Sequence, residues 1–276
     1  MNSIIIQGGL GNQMFQLFML MAFSSKYNKP FVIPCSMQSW DKRHSYWETF
    51  FCRLKPFLVD NAVIQTFSEL KEPTFHYIEL PNINGSICLN GYFQSYKYFE
   101  SHYNEICGRL GLYQMQNNLR ENCRTDFRGS ISLHFRMGDY KNMPNHHPLI
   151  SDNYYVDSLR HIIETTQKTV WNIFYCCEES DCQIVLSRIE NIRSKFDCSL
   201  NFIKIDGQLN DYEQMLFMSC CEHNIIANSS FSWWSAYINN NSQKVVCYPS
   251  LWFGVAYQHF NTIDMFPAFW RKININ

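Results

Sequence analysis

The chain has 276 residues, 46% hydrophobic and 16% aromatic, with a net charge of −1. That composition supplies a substantial core and argues against a disordered chain, and the near-zero charge argues against a nucleic-acid binder, which carries a basic face. Length favours two domains.

The start, "MNSIIIQGGLGNQ", has no basic n-region and no small-residue cleavage pattern, so no secretory leader is expected. Ile4–Ile6 predicts a buried strand, "QGGLGNQ" a glycine turn and Met14–Phe23 a helix apolar on most faces. That apolar run includes Gln16 and falls short of the roughly 20 residues that cross a bilayer. "KPFVIP" (29–34) predicts a second strand, residues 41–80 give no clear pattern, and 85–99 predict a strand, a turn and a helix start. The polar stretch 113–130 predicts a helix and a linker. Strands and helices then alternate: "ISLHF", "SDNYYVDSLRHIIETTQ", "TVWNIFYCC", "CQIVLSRIENIRSKF", "SLNFIKID", "NDYEQMLFMSCCEH", "NIIAN", "SSFSWWSAYINN" and a last strand "KVVCYP". This rhythm predicts parallel sheets covered by helices. The expected division is 1–125 and 126–276.

The twelve cysteines contain no Cys-x-x-Cys pair, and Cys176–Cys177 and Cys220–Cys221 are adjacent, so they predict reduced, buried thiols, with no zinc. With no export route, they predict a cytoplasmic chain.

Ligands of open parallel sheets bind beyond the carboxyl ends of strands. Three such ends carry polar material. Gly8, Gly9 and Gly11, with Asn12, match neither G-x-G-x-x-G nor the Walker loop; they fit either a tight turn or a close approach of ligand to backbone. In "HFRMGDY", Arg136 fits a forked pair with phosphate, with Asp139 as its holder or as a base, and Gly138 as the turn; a plain ion pair is the alternative. In "IIANSSFSWW", Ser229 and Ser230 fit either a helix cap or a diphosphate seat, and Trp233 and Trp234 fit the core. No Asp-x-Asp occurs; Glu179-Ser180-Asp181 is the nearest pattern, so no divalent metal is expected. No G-x-S-x-G occurs either, against an α/β-hydrolase.

"GGLGNQMFQ", "GYFQSYKYF" (91–99), "HFRMGDY" (134–140) and "HNIIANSSFSWWSAY" (223–237) together resemble the α-1,2-fucosyltransferase family. The resemblance implies a GT-B fold, two Rossmann-like domains with parallel sheets facing across a cleft, the N-terminal one on the acceptor side and the C-terminal one binding GDP-fucose. It implies inverting, metal-independent transfer of L-fucose from GDP-fucose to the 2-hydroxyl of a terminal galactose on a glycan. Carried over, Arg136 clamps the pyrophosphate, His134 lies near the nucleotide, Asn228, Ser229, Ser230, Phe231 and Ser232 line the phosphate end, and Gly11 and Asn12 approach from the N-terminal domain. Asp139, Glu178 and Glu179 are the candidates for general base, Asp139 and Glu178 being kept with Arg136 as the catalytic set. Three positions depart from the family pattern. Met137 replaces a second arginine, Cys177-Glu178-Glu179 replaces a serine and two aspartates, and Gln214 replaces an acid, with Glu213 beside it as the candidate for nucleotide contact. Two alternatives remain: a different GDP-linked deoxysugar or acceptor hydroxyl, and a GDP-sugar-binding module without turnover. No transmembrane segment is expected; peripheral membrane contact is compatible.

Overall fold

The computed structural model describes residues 1–36 and 44–275. Residues 37–43, which overlap the start of the unassigned stretch 41–80, lie outside them. The chain divides into two compact units, one of residues 1–114 with 260–267 and the other of 115–259 with 268–276. Both are α/β with parallel strands, as the alternating pattern predicts.

The first unit contains β1 (Asn2–Ile4), α1 (Leu10–Lys26), β2 (Ile33–Pro34), β3 (Leu58–Val59), α2 (Asn61–Ile64), β4 (Ser68–Lys71), β5 (Ile87–Asn90) and α3 (Tyr103–Leu110). Its strands pair in parallel as β1-β5-β4 and β2-β3. α1 is buried on nearly every face from Leu10 to Ser24, and Phe18 meets Phe99 edge-on at 5.2 Å. The first strand lies earlier than expected. Asn2 and Ser3 are buried in it, and the Asn2 amide donates to Ser24 Oγ (3.1 Å). Past Ile5, which still donates to Leu89 O, the Gln7 N–H turns to the Gln16 side chain (3.1 Å). β4 escaped the sequence reading because "SELK" is a polar edge strand with no apolar face.

α4 (Leu112–Cys123) is the helix expected within 113–130 and leads from one unit into the other. The second unit follows with β6 (Ser130–His134), α5 (Asp152–Thr166), β7 (Val170–Cys176), α6 (Cys182–Arg193), β8 (Ser199–Lys204), α7 (Asp211–Cys220), β9 (His223–Ile225), α8 (Ser230–Tyr237), β10 (Val246–Pro249) and β11 (Arg271–Ile273). The sheet order β11-β10-β9-β6-β7-β8 is parallel throughout. Numbered from β6, this is 3-2-1-4-5-6 reversed end for end, the doubly wound order of dinucleotide folds. β6 is buried at all five positions, as a central parallel strand covered on both faces must be. Tyr154 and Tyr155 of α5 pack into the same core, their hydroxyls donating to Ile226 O (2.5 Å) and His134 O (3.0 Å).

Two expectations need correction. "KVVCYP" is not the last strand: β11 follows it at the sheet edge, where exposed Arg271 and Lys272 hide the strand pattern. The cysteines are all free thiols, but Cys35 and Cys52 are exposed rather than buried. Trp233 and Trp234 are fully buried and meet edge-on at 5.1 Å.

Candidate functional site

Strand order in the second unit reverses between β6 and β9, and a doubly wound sheet opens a ligand crevice at the carboxyl ends of such a pair. His134 ends β6, followed by Phe135, Arg136, Met137 and Gly138. Asn228 and Ser229 follow β9 and lead into α8. Two of the three motifs singled out in the sequence therefore converge at one place.

Arg136 is mostly buried, with 19% of its side chain exposed. Its two terminal nitrogens are divided between carboxylates, Nη2 to Asp139 and Nη1 to Glu178. The guanidinium also lies over the Tyr140 ring, 4.7 Å from its centre, and Tyr140 stacks on His147 at 4.3 Å. The Tyr140 hydroxyl donates to Asn228 O (3.1 Å), tying the β6 turn to the β9 turn. Gly138 is required here. It has φ of +36°, and a Cβ on it would sit 2.1 Å from Glu178 Oε1, the oxygen that faces Arg136.

The sequence reading missed the anchor of this turn. Asp181 has no exposed side-chain surface; it accepts the Gly138 N–H (2.7 Å) and pairs with Lys141 (2.5 Å). Burial pushes its pKa up, but Lys141, the Gly138 N–H and the Arg136 charge outweigh it and hold the carboxyl below the usual range. Its signal was present in Glu179-Ser180-Asp181, which the sequence reading weighed only as a metal motif.

His134 and Asn228 each keep one buried polar atom without a hydrogen-bond partner, Nδ1 and Oδ1. Burial, helped by the charge of Arg136, presses the His134 pKa down to about 3, so the ring is neutral. The Asn228 amide nitrogen donates to Pro148 O (3.0 Å) and Trp252 O (3.3 Å), which fixes the orientation of Oδ1. These two unpartnered atoms lie on the ends of neighbouring strands. Ser229 makes no side-chain cap on α8. The Ser232 hydroxyl is occupied within the turn: it receives the Ala227 N–H (3.2 Å) and reaches Ser229 O (3.3 Å). Phe231 lies 5.6 Å from the His134 ring.

The other candidates lie elsewhere. The Glu213 carboxylate closes a capping box by accepting the Asn210 N–H (2.8 Å) at the start of α7. Gln214 beside it bridges Cys176 Sγ (3.0 Å) and Leu209 O (2.8 Å). Glu179 pairs with Lys204 (2.5 Å). Gly11 and Asn12 belong to the first unit, in the first turn of α1, where Asn12 Oδ1 accepts from Gln94 (2.9 Å). Among the described residues, no three His, Cys, Asp or Glu side chains gather as a metal site requires. None of the described helices is long and apolar enough to cross a membrane.

The sequence model described as "Glycosyl transferase family 11" matches residues 1–252. The chain belongs to this family. Similar proteins include an alpha-1,2-colitosyltransferase of Escherichia coli, 28% identical across 97% of both chains. Another similar protein is the O-antigen biosynthesis glycosyltransferase WbnK of Escherichia coli, 25% identical over 90% of this chain and 93% of that one. A solved structure of POFUT1 in complex with GDP-fucose aligns with a TM-score of 0.45 and 9% identity, covering 90% of this chain and 97% of that chain.

Proposed function

We propose that this glycosyl transferase family 11 member moves L-fucose from GDP-fucose to the 2-hydroxyl of a terminal galactose, with inversion. The second unit takes the nucleotide sugar and the first the acceptor glycan. The observation that carries this reading is Arg136, in the turn after β6 where the strand order reverses, stacked on Tyr140, whose hydroxyl ties that turn to Asn228 just ahead of α8. As the bond from sugar C1 to the phosphate oxygen breaks, its electron pair passes to the β-phosphate, and charge grows there. A guanidinium and the N–H groups of a helix start stabilise that growing charge more than the ground state.

Asp139 and Glu178 act through Arg136: they hold the fork extended before the donor arrives, and the diphosphate then displaces at least one of them. Neutral His134 and Asn228 offer hydrogen bonds to the nucleotide without adding charge. Guanidinium and helix dipole thus neutralise the diphosphate without a divalent ion, so EDTA should leave most activity in place; strict dependence on added Mg²⁺ or Mn²⁺ would contradict this. The direct test is incubation with GDP-fucose and a β-galactoside, with linkage analysis of the product. No product and no GDP release would count against the reading. The colitosyltransferase relative favours a second reading, in which the donor carries another GDP-linked deoxysugar; competition between GDP-sugars separates the two.

A further inference from the structure

The connection from β7 to α6 supplies both Glu178, which pairs with Arg136, and Asp181, which anchors Gly138. A cysteine stands at each end of it. Cys177 follows the last residue of β7 and packs against the core of the second unit, and Cys182 is the first residue of α6. Both are free thiols, partly exposed, and their sulfurs lie 4.0 Å apart. Lys204, the last residue of β8, brings its ammonium to the pair: it donates to Cys182 Sγ (2.9 Å) and pairs with Glu179 (2.5 Å).

The two thiols are unequal. Burial, with Cys182 beside it, pushes the Cys177 pKa up, so that thiol stays protonated. Cys182 faces a cation, kept charged because the Cys182 sulfur and Glu179 raise the Lys204 pKa against burial. The thiolate is the form that oxidants attack, and a second thiol within reach turns the product into a disulfide. We propose that Cys177 and Cys182 are a site of reversible oxidation by peroxides, and that the disulfide they form weakens binding of the nucleotide diphosphate. The effect on the nucleotide rests on the reading of Arg136 as the diphosphate clamp.

The Cys182 thiolate attacks one oxygen of hydrogen peroxide. The S–O bond forms, the O–O bond breaks, and hydroxide leaves and takes up a proton as water. The Cys177 sulfur then attacks the sulfur of this sulfenic acid. The S–S bond forms, the S–O bond breaks, and the hydroxyl departs as water with the Cys177 proton. Two thiols are oxidised and one peroxide is reduced to two waters. Bonded sulfurs stand about 2 Å apart, so the gap of 4.0 Å has to close by about half. The residues between, 178–181, have little slack. Glu178 Oε1 lies 2.1 Å from where a Cβ on Gly138 would stand, and Asp181 holds the Gly138 N–H (2.7 Å). Drawing the cysteines together therefore shifts Glu178 or Asp181, and with them the turn that presents Arg136.

The test exposes the full chain to hydrogen peroxide, alkylates the remaining thiols and maps the peptides by mass, with GDP affinity measured by calorimetry before and after. The expected result is a Cys177–Cys182 disulfide and a fall of about tenfold in GDP affinity, the worth of one charge-assisted hydrogen bond, both reversed by dithiothreitol. Cys182→Ser should bind GDP like untreated wild type and keep that affinity in peroxide. Cys177→Ser should stop at the sulfenic acid, which dimedone traps on Cys182. Oxidation confined to other cysteines, such as exposed Cys35 and Cys52, would overturn the site. A Cys177–Cys182 disulfide with unaltered GDP affinity would overturn its effect on the nucleotide. Untreated wild type that fails to bind GDP would overturn the donor-site reading instead, while the peptide map still decides the thiol pair.

Discussion

Arg136 is the residue on which donor chemistry turns, and its two carboxylate partners set what its removal does. Asp139 and Glu178 have 43% and 47% of their side chains exposed, so water solvates them once the guanidinium is gone and the fold is little affected. Arg136→Ala should therefore cut kcat by a factor of 10² to 10³, about 3 kcal/mol of transition-state stabilisation, while thermal unfolding stays close to wild type. Unchanged turnover would remove Arg136 from the mechanism. Asp181 should behave in the opposite way. Asp181→Asn removes the charge that pairs with half-exposed Lys141 and loosens the Gly138 turn, costing about 1 kcal/mol of stability, measurable by urea unfolding. At this scale the sequence was legible where residue type declared chemistry: an arginine and a glycine after an apolar strand. It showed Asp181 only as part of an acidic pattern, because its role as an anchor comes from burial and from the Gly138 N–H of another turn. It also could not show that Glu213 spends its carboxylate on a helix cap.

Among the elements, the turn from β6 is held by its glycine. Gly138→Ala would drive a methyl group into Glu178 and strain a positive φ, so it should weaken GDP binding by displacing one holder of Arg136; calorimetry on the variant checks this, and wild-type affinity would mean that Glu178 does not position the guanidinium. The alternating elements of the second unit were readable because central parallel strands are continuous apolar runs separated by amphipathic helices. β4 and β11 were not, since a polar edge strand is defined by its neighbour's backbone and not by its own side chains. Ser229 and Ser230 were legible as a helix start, and the missing side-chain cap at Ser229 came only with coordinates.

For the whole molecule, buried titrating groups set the pH dependence of stability in opposing directions. His134 and His223 have pKa values pressed down, chiefly by burial, to about 3 and about 4. Their contribution is complete above the ordinary value near 6.5 and is lost as pH falls from there. Glu72 has its pKa raised from 4.5 to about 7, so its contribution is present below 4.5 and lost as pH rises through 7. That penalty is roughly 3 kcal/mol above pH 7. Glu72→Gln should accordingly melt higher than wild type at pH 8, and the difference should vanish near pH 4.5; a lower melting point at pH 8 would contradict the assigned protonation. The parallel strands and covering helices were readable from the element rhythm, whereas the inclusion of residues 260–267 in the first unit was not, because it depends on contacts such as Ser95 Oγ to Asp264 O (2.6 Å) between distant parts of the chain. The most direct measurement is a crystal structure with GDP bound. The diphosphate is expected within hydrogen-bond distance of the Arg136 guanidinium and the first-turn N–H groups of α8, with at least one of Asp139 and Glu178 released. GDP bound away from both Arg136 and α8 would contradict it.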